Sequence, residues 1–164
     1  MSGVWQQITT TWVSEFSDLN DVAEITRIST RLLIAALLGG ILGFEREQRG
    51  KAAGVRTHML VAIGAAFFVL IPQQAGIGEA DITRITQGII TGIGFLGAGA
   101  ILKGDDEKSL KGLTTAAGIW LTAAIGVAAG LGYEASAILC TLLALIVLIV
   151  IPKLVALLDR DEQQ

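Results

Sequence analysis

The sequence predicts an all-α membrane protein: a bundle of five transmembrane helices, preceded by an N-terminal amphipathic helix lying in the membrane interface. Three observations lead there. Of the 164 residues, 52% are hydrophobic and only 16% are charged, against roughly 25% charged in an ordinary soluble domain. With a mean hydropathy of +0.66, this balance suits helices packed in lipid. Uncharged or nearly uncharged runs recur at Leu32–Phe44, Thr57–Gly78, Ile85–Leu102, Gly112–Tyr133 and Ala135–Pro152, and about 20 such residues cross roughly 30 Å of hydrocarbon as a helix. The runs lack the alternation of barrel strands, and backbone groups in lipid must be satisfied within their own segment.

Taken in order, residues 1–27 place Trp5, Ile8, Trp12, Val13, Phe16 and Leu19 at helical spacing, with Glu15 and Asp18 elsewhere on the wheel. That stripe predicts a helix lying in the outer interface or docked on the rim of the bundle. The segment has no basic stretch followed by an apolar one, so no cleavable signal peptide is expected and the first span targets the chain. A transmembrane domain is expected over residues 28–152. Its first span reaches sufficient length only if Arg31 snorkels to the headgroups or pairs with an acid. A short tail, 153–164, completes the chain.

Orientation follows from the loops. Arg46, Arg49, Lys51 and Arg56 crowd one connection and Lys103, Lys108 and Lys111 another. The segment 73–84 has only Arg84, beside Glu79 and Asp81, and the turn 132–134 has no cation. The positive-inside rule then puts the N-terminus outside and the C-terminus in the cytoplasm, with Arg27 and Arg31 outvoted. An offset of 58 residues aligns Leu38-Gly39 with Leu96-Gly97, Gly54 with Gly112 and Thr57 with Thr115. This reads either as a parallel repeat or as chance in an Ala/Gly-rich chain.

Several functions are excluded by the same residues. A net charge of -3 offers no basic field to a polyanion, so no nucleic-acid partner is expected. Cys140 is the single cysteine and His58 the single histidine, too few for an intrachain disulfide or a closed zinc site. Glu79, Asp81, Asp105, Asp106 and Glu107 lie in loops, where carboxylates are ordinarily solvated, so no metal or other cofactor is expected. The pattern Gly92-x-Gly94-x-x-Gly97 follows no strand and is not a dinucleotide site. No catalytic set is present, and the chain is expected not to be an enzyme.

Three stretches remain as candidate functional sites. The first is Gly43–His58, where Glu45 and Glu47 stand among four cations. It reads either as a solvated positive-inside loop or as a specific ion-pair network of Glu45, Arg46, Glu47, Arg49, Gly54, Arg56, Thr57 and His58. Glu45, Arg56 and His58 stand out because an ionisable group at the hydrocarbon boundary is expensive unless paired or functional, and a histidine there can respond to protons. The second is the glycine-rich third span, with Gly88, Gly92, Gly94, Gly97 and Gly99. It reads as close helix packing or, less favoured, as a broken helix exposing backbone to an ion. The third, Gly112, Thr114 and Thr115, opens the fourth span, where the hydroxyls are placed to cap that helix or bond a neighbour.

These three stretches, in this order, resemble the MgtC/SapB family of bacterial inner-membrane proteins over about residues 31–151. The resemblance implies a five-helix membrane domain in the bacterial inner membrane, a link to growth under Mg²⁺ limitation and stress, and in pathogens a link to virulence. It also implies action by modulating other membrane proteins, such as the F-type ATP synthase or a transporter. Many members add a soluble C-terminal domain that this sequence does not show. Two functions stay open: a non-catalytic modulator that docks on another membrane protein through its glycine-rich face, and a small oligomeric transporter or channel for Mg²⁺ or another cation. Small-residue faces also suit a homodimer.

Overall fold

The computed structural model describes residues 2–19, 21–103 and 110–161. The described residues are helical almost throughout, and they divide into two compact units, 1–30 and 31–164.

In the first unit, α1 (Ser2–Glu15) is followed by a single 3-10 turn at Ser17–Leu19. The apolar stripe expected to continue to Leu19 therefore belongs to a helix only through Val13. Phe16 and Leu19 lie past its end, where the Ser14 and Ser17 hydroxyls donate back to the Thr11 and Ser14 carbonyls. Such local bonds compete with the helix ladder. Trp5, Trp12, Val13 and Phe16 are all exposed. Next, α2 (Val22–Gln48) begins six residues before the expected Ile28, because Asp21 Oδ1 accepts the Ala23 amide at 3.0 Å as an N-cap.

The second unit contains the rest of α2, then α3 (Val55–Gln74), α4 (Glu79–Gly99), α5 (Leu113–Leu131) and α6 (Glu134–Asp161). Among the described residues, α2, α3, α5 and α6 are long and apolar enough to cross a membrane. The 21-residue α4 is not one of these four, with Glu79, Asp81 and Arg84 in its first two turns. Between α4 and α5 the sequence reading missed a minimal antiparallel pair, β1 (Leu102–Lys103) with β2 (Leu110–Lys111). Residues Asp105, Asp106, Glu107 and Lys108, named above for charge, lie outside the described residues. The last helix runs through Pro152, so the expected 153–164 tail is helical as far as Asp161.

Packing centres on α3 against α5. Small residues make the contact: a Cβ at Gly126 would run into the Ala62 carbonyl oxygen, and one at Gly130 into the Ala66 carbonyl oxygen. On the other side of α3, a Cβ at Gly39 of α2 would come 2.6 Å from the His58 carbonyl oxygen and 2.9 Å from Ala62 Cβ. Each glycine thus lets two backbones approach to a distance that no side chain permits. Ala35, Leu38, Leu42, Ala62, Ala66, Ile125 and Ala129 fill the core so formed. The buried Thr122 and Thr141 hydroxyls donate to carbonyls of their own helices, Gly118 and Ala137.

Candidate functional site

At one end of the second unit, α2 closes against the start of α3 through glycine. A Cβ at Gly43 would stand 2.6 Å from Val55 Cα and 2.8 Å from the Gly54 carbonyl oxygen. This brings the last turns of α2 under the α2–α3 connection and buries Glu45 and Arg46 there, the arginine only 3% exposed. Arg46 pairs with Glu45 Oε2 through Nε and Nη2. Arg49, one turn on, places Nε 2.5 Å from Glu45 Oε1. One carboxylate therefore pairs with two guanidinium groups, offsetting the buried Arg46 charge inside the chain and leaving the surplus positive charge on the partly exposed Arg49.

Glu47 does something different. Its Oε2 accepts the Val55 amide at 2.9 Å, capping α3 from a distance because Gly54 at the N-cap has no side chain to do so. A Cβ at Gly54 would collide with that same carboxylate oxygen. The Gly54 carbonyl oxygen then takes the Nδ1 proton of His58 at 3.0 Å. Since a carbonyl only accepts, Nδ1 carries the hydrogen, and in the neutral form of the ring Nε2 is then an acceptor. His58 is fully buried, and Nε2 has no hydrogen-bond partner among the described residues.

Of the eight residues expected in this motif, the structure brings together Glu45, Arg46, Glu47, Arg49, Gly54 and His58. Arg56 and Thr57 are exposed and sit outside the network. In the third candidate stretch, Gly112 takes a left-handed conformation with φ of 97°, and a Cβ there would strike the Ala100 carbonyl oxygen. Among the described residues no side chain caps α5, whose N-cap is Gly112, so Thr114 and Thr115 do not serve as its cap. Thr115 is buried instead.

The glycine-rich helix departs most from expectation. Among the described residues, a Cβ at Gly88, Gly92, Gly94 or Gly99 would meet nothing within 4 Å, and of these five glycines Gly97 alone faces a neighbour, Ala116, at 3.7 Å. The close packing lies at Gly39-xxx-Gly43 and Gly126-xxx-Gly130, whose four-residue spacing was the available signal. Along α3 and α4 runs an apolar groove of about 610 Å³, lined by Gly64, Phe68, Gly88, Gly92 and Leu96 among others.

At the opposite end, about four helical turns before Arg46, Arg31 is paired rather than snorkelled. Its Nη1 donates to Gln73 Oε1 at 2.7 Å and to the Gly130 carbonyl oxygen at 3.0 Å, and its Nε lies 3.8 Å from Glu134 Oε1. Gly132 ends α5 at φ of 88°, and a Cβ there would fall on the guanidinium. Gln73 and Glu134 carried no sequence signal, because each reads as an ordinary helix-end polar residue. Arg31→Gln is expected to lower stability by about 1–3 kcal/mol, since it removes charge-assisted bonds to three elements. Thermal unfolding in detergent checks this, and a loss no larger than that of Arg56→Gln would show that the cluster contributes nothing.

The fold and site define a class: a helical membrane protein with a polar cluster at each end of a small-residue core. The MgtC family matches residues 32–157, and the chain belongs to the MgtC family. It is 44% identical to Protein SrpB of Synechococcus elongatus, over 64% of this chain and 64% of that protein. It is 41% identical to "Putative magnesium transporter YhiD" of Escherichia coli, over 76% and 60%, and 43% identical to Protein MgtC of Brucella abortus, over 76% and 51%. The matches therefore span about half to two thirds of the length of these relatives. No solved structure matches the chain.

Proposed function

We propose that this chain is a five-crossing bacterial inner-membrane protein that acts as a non-catalytic modulator of another membrane protein during Mg²⁺ limitation and stress. In this reading α4, 21 residues long with its acids confined to the first turn, is the fifth crossing. The N-terminus is then outside and the C-terminus cytoplasmic. The observation that carries the proposal is the α3–α4 face. Gly88, Gly92 and Gly99 share one face of α4, where an added Cβ would meet nothing within 4 Å among the described residues, and Gly88 and Gly92 line the apolar groove. Such a surface fits a transmembrane helix of a partner, whose backbone approaches closely where side chains are missing. A transporter or the F-type ATP synthase is the class of partner proposed.

A second reading, an oligomeric Mg²⁺ or cation transporter, draws on the printed name of YhiD. Against it stands the core between the two polar clusters, filled by Ala, Leu, Val and Ile, with its threonine hydroxyls bonded to their own helices. Intramembrane ion paths are ordinarily marked by chains of ionisable side chains, and among the buried residues between the two clusters His58 stands alone as one.

Two measurements separate the readings. Purified protein in liposomes is expected to show no saturable Mg²⁺ flux. A photo-cross-linker at Leu96, which is exposed on the groove, is expected to capture one other membrane protein in native membranes and to lose it in Gly92→Leu. Saturable flux abolished by Glu45→Ala would overturn the modulator in favour of the transporter. Adducts of the chain with itself alone would make the face a homodimer seam and overturn docking on a partner.

A further inference from the structure

His58 also lines a second cavity, away from the α3–α4 groove. This cavity, about 330 Å³, lies between α5 and α6, with Leu42 and His58 at its back and Gly118, Leu121, Cys140 and Leu143 among its walls. Its size falls within the range of small-molecule sites. Nδ1 is tied to the Gly54 carbonyl, so the ring cannot turn to satisfy Nε2 without breaking that bond. On the facing helix, Gly118 stands beside the atom, and a Cβ there would be 3.6 Å from Nε2; the nitrogen is buried in the ligand-free chain. At the mouth, Leu143 and Val147 are more than half exposed, so the cavity opens sideways toward the bilayer.

We infer that this cavity binds a small, uncharged, membrane-soluble molecule that has an apolar body and one O–H or N–H donor, which bonds to His58 Nε2. The walls select for an apolar body, because apart from Thr114 and Cys140 the other lining groups are hydrocarbon, and a charge would be left without a counter-ion. The acceptor selects for a donor, because a site with a buried hydrogen-bonding atom rejects an analogue that cannot pair with it. A phospholipid acyl chain satisfies the walls and not the nitrogen. The inference does not depend on whether the chain modulates or transports, because the cavity lies between different helices from the proposed docking face.

The single histidine makes the test direct. With imidazole-¹⁵N labelling, the full chain in lipid nanodiscs gives one Nδ1 and one Nε2 resonance, both from His58. Titration with 1-naphthol is expected to shift Nε2 saturably, with Nδ1 little changed. The non-donor 1-methoxynaphthalene is expected to bind at least about tenfold more weakly. Leu143→Trp, which blocks the mouth from an exposed position, is expected to abolish the shift, and Gly118→Leu fills the cavity from within should the first variant not fold. An unchanged Nδ1 resonance reports that each variant keeps the Gly54 bond. No saturable shift, equal response to both probes, or a shift that survives both variants would overturn the assignment.

Discussion

Gly126→Ala and Gly130→Ala are each expected to destabilise the protein by about 1–3 kcal/mol, the range for forcing extra volume into a packed core, and the double variant to fail to accumulate in folded form. The added methyl at either position meets the α3 backbone, at the carbonyls of Ala62 and Ala66. Backbone cannot rotate out of the way as a side chain can, so α3 and α5 must separate. Because the buried core residues Ile125 and Ala129 belong to the same seam, separation costs contacts along its whole length. The contrasting variant is Gly92→Ala, where the new methyl meets nothing within 4 Å. There the better helix propensity of Ala, about 0.5–1 kcal/mol, is expected to leave stability equal to or above that of the parent. Thermal unfolding of the three variants in one detergent decides the matter: similar losses at Gly92 and Gly126 would mean that the α3–α5 seam is not where the chain is held together.

The second large effect concerns the buried carboxylate. Glu45→Leu is expected to cost about 3–5 kcal/mol, because it leaves Arg46 charged and buried with no counter-ion. Arg46→Leu is expected to cost less, since Glu45 keeps its ion pair with Arg49. The double variant Glu45→Leu/Arg46→Leu is expected to recover most of the Glu45→Leu loss, leaving Arg49 free to reach solvent. A double-mutant cycle measures this coupling. Strict additivity, or a larger loss at Arg46 than at Glu45, would refute the arrangement of two guanidinium groups on one carboxylate.

How much of this was legible in the sequence depends on the kind of signal each feature carries. The α3 and α5 helices follow from uninterrupted apolar runs, since only a helix satisfies their backbone in lipid. The six motif residues that converge at the α2–α3 connection were visible as acids misplaced among cations. Arg56 looked equivalent on paper, but its side chain falls on the exposed side of the first turn of α3. The early start of α2 turned on one aspartate oxygen, and the run of α6 past Pro152 on the fact that a proline costs a helix one donor and a kink rather than its continuity. Glycine misled in a different way. Density and the Gly88-xxx-Gly92 spacing pointed to α4, while the same spacing at Gly39-xxx-Gly43 and Gly126-xxx-Gly130 carries the close contacts, because packing depends on what stands opposite a glycine and a single sequence does not show that. The pairing of Arg31 with Glu134, residues far apart in the chain, is tertiary and left no local trace.

The open face of α4 has a thermodynamic consequence. A helix with glycine at Gly88, Gly92, Gly94 and Gly99 has low intrinsic propensity, and one flank without packing withholds the contacts that usually compensate. The helix is thereby expected to open more readily than α3 and α5, and its amides to exchange with solvent before theirs. Whatever covers that flank supplies the missing contacts and stabilises the covered state by mass action. Recognition at this face and the ordering of α4 are then a single equilibrium, in which association reads out how firmly one helix is held.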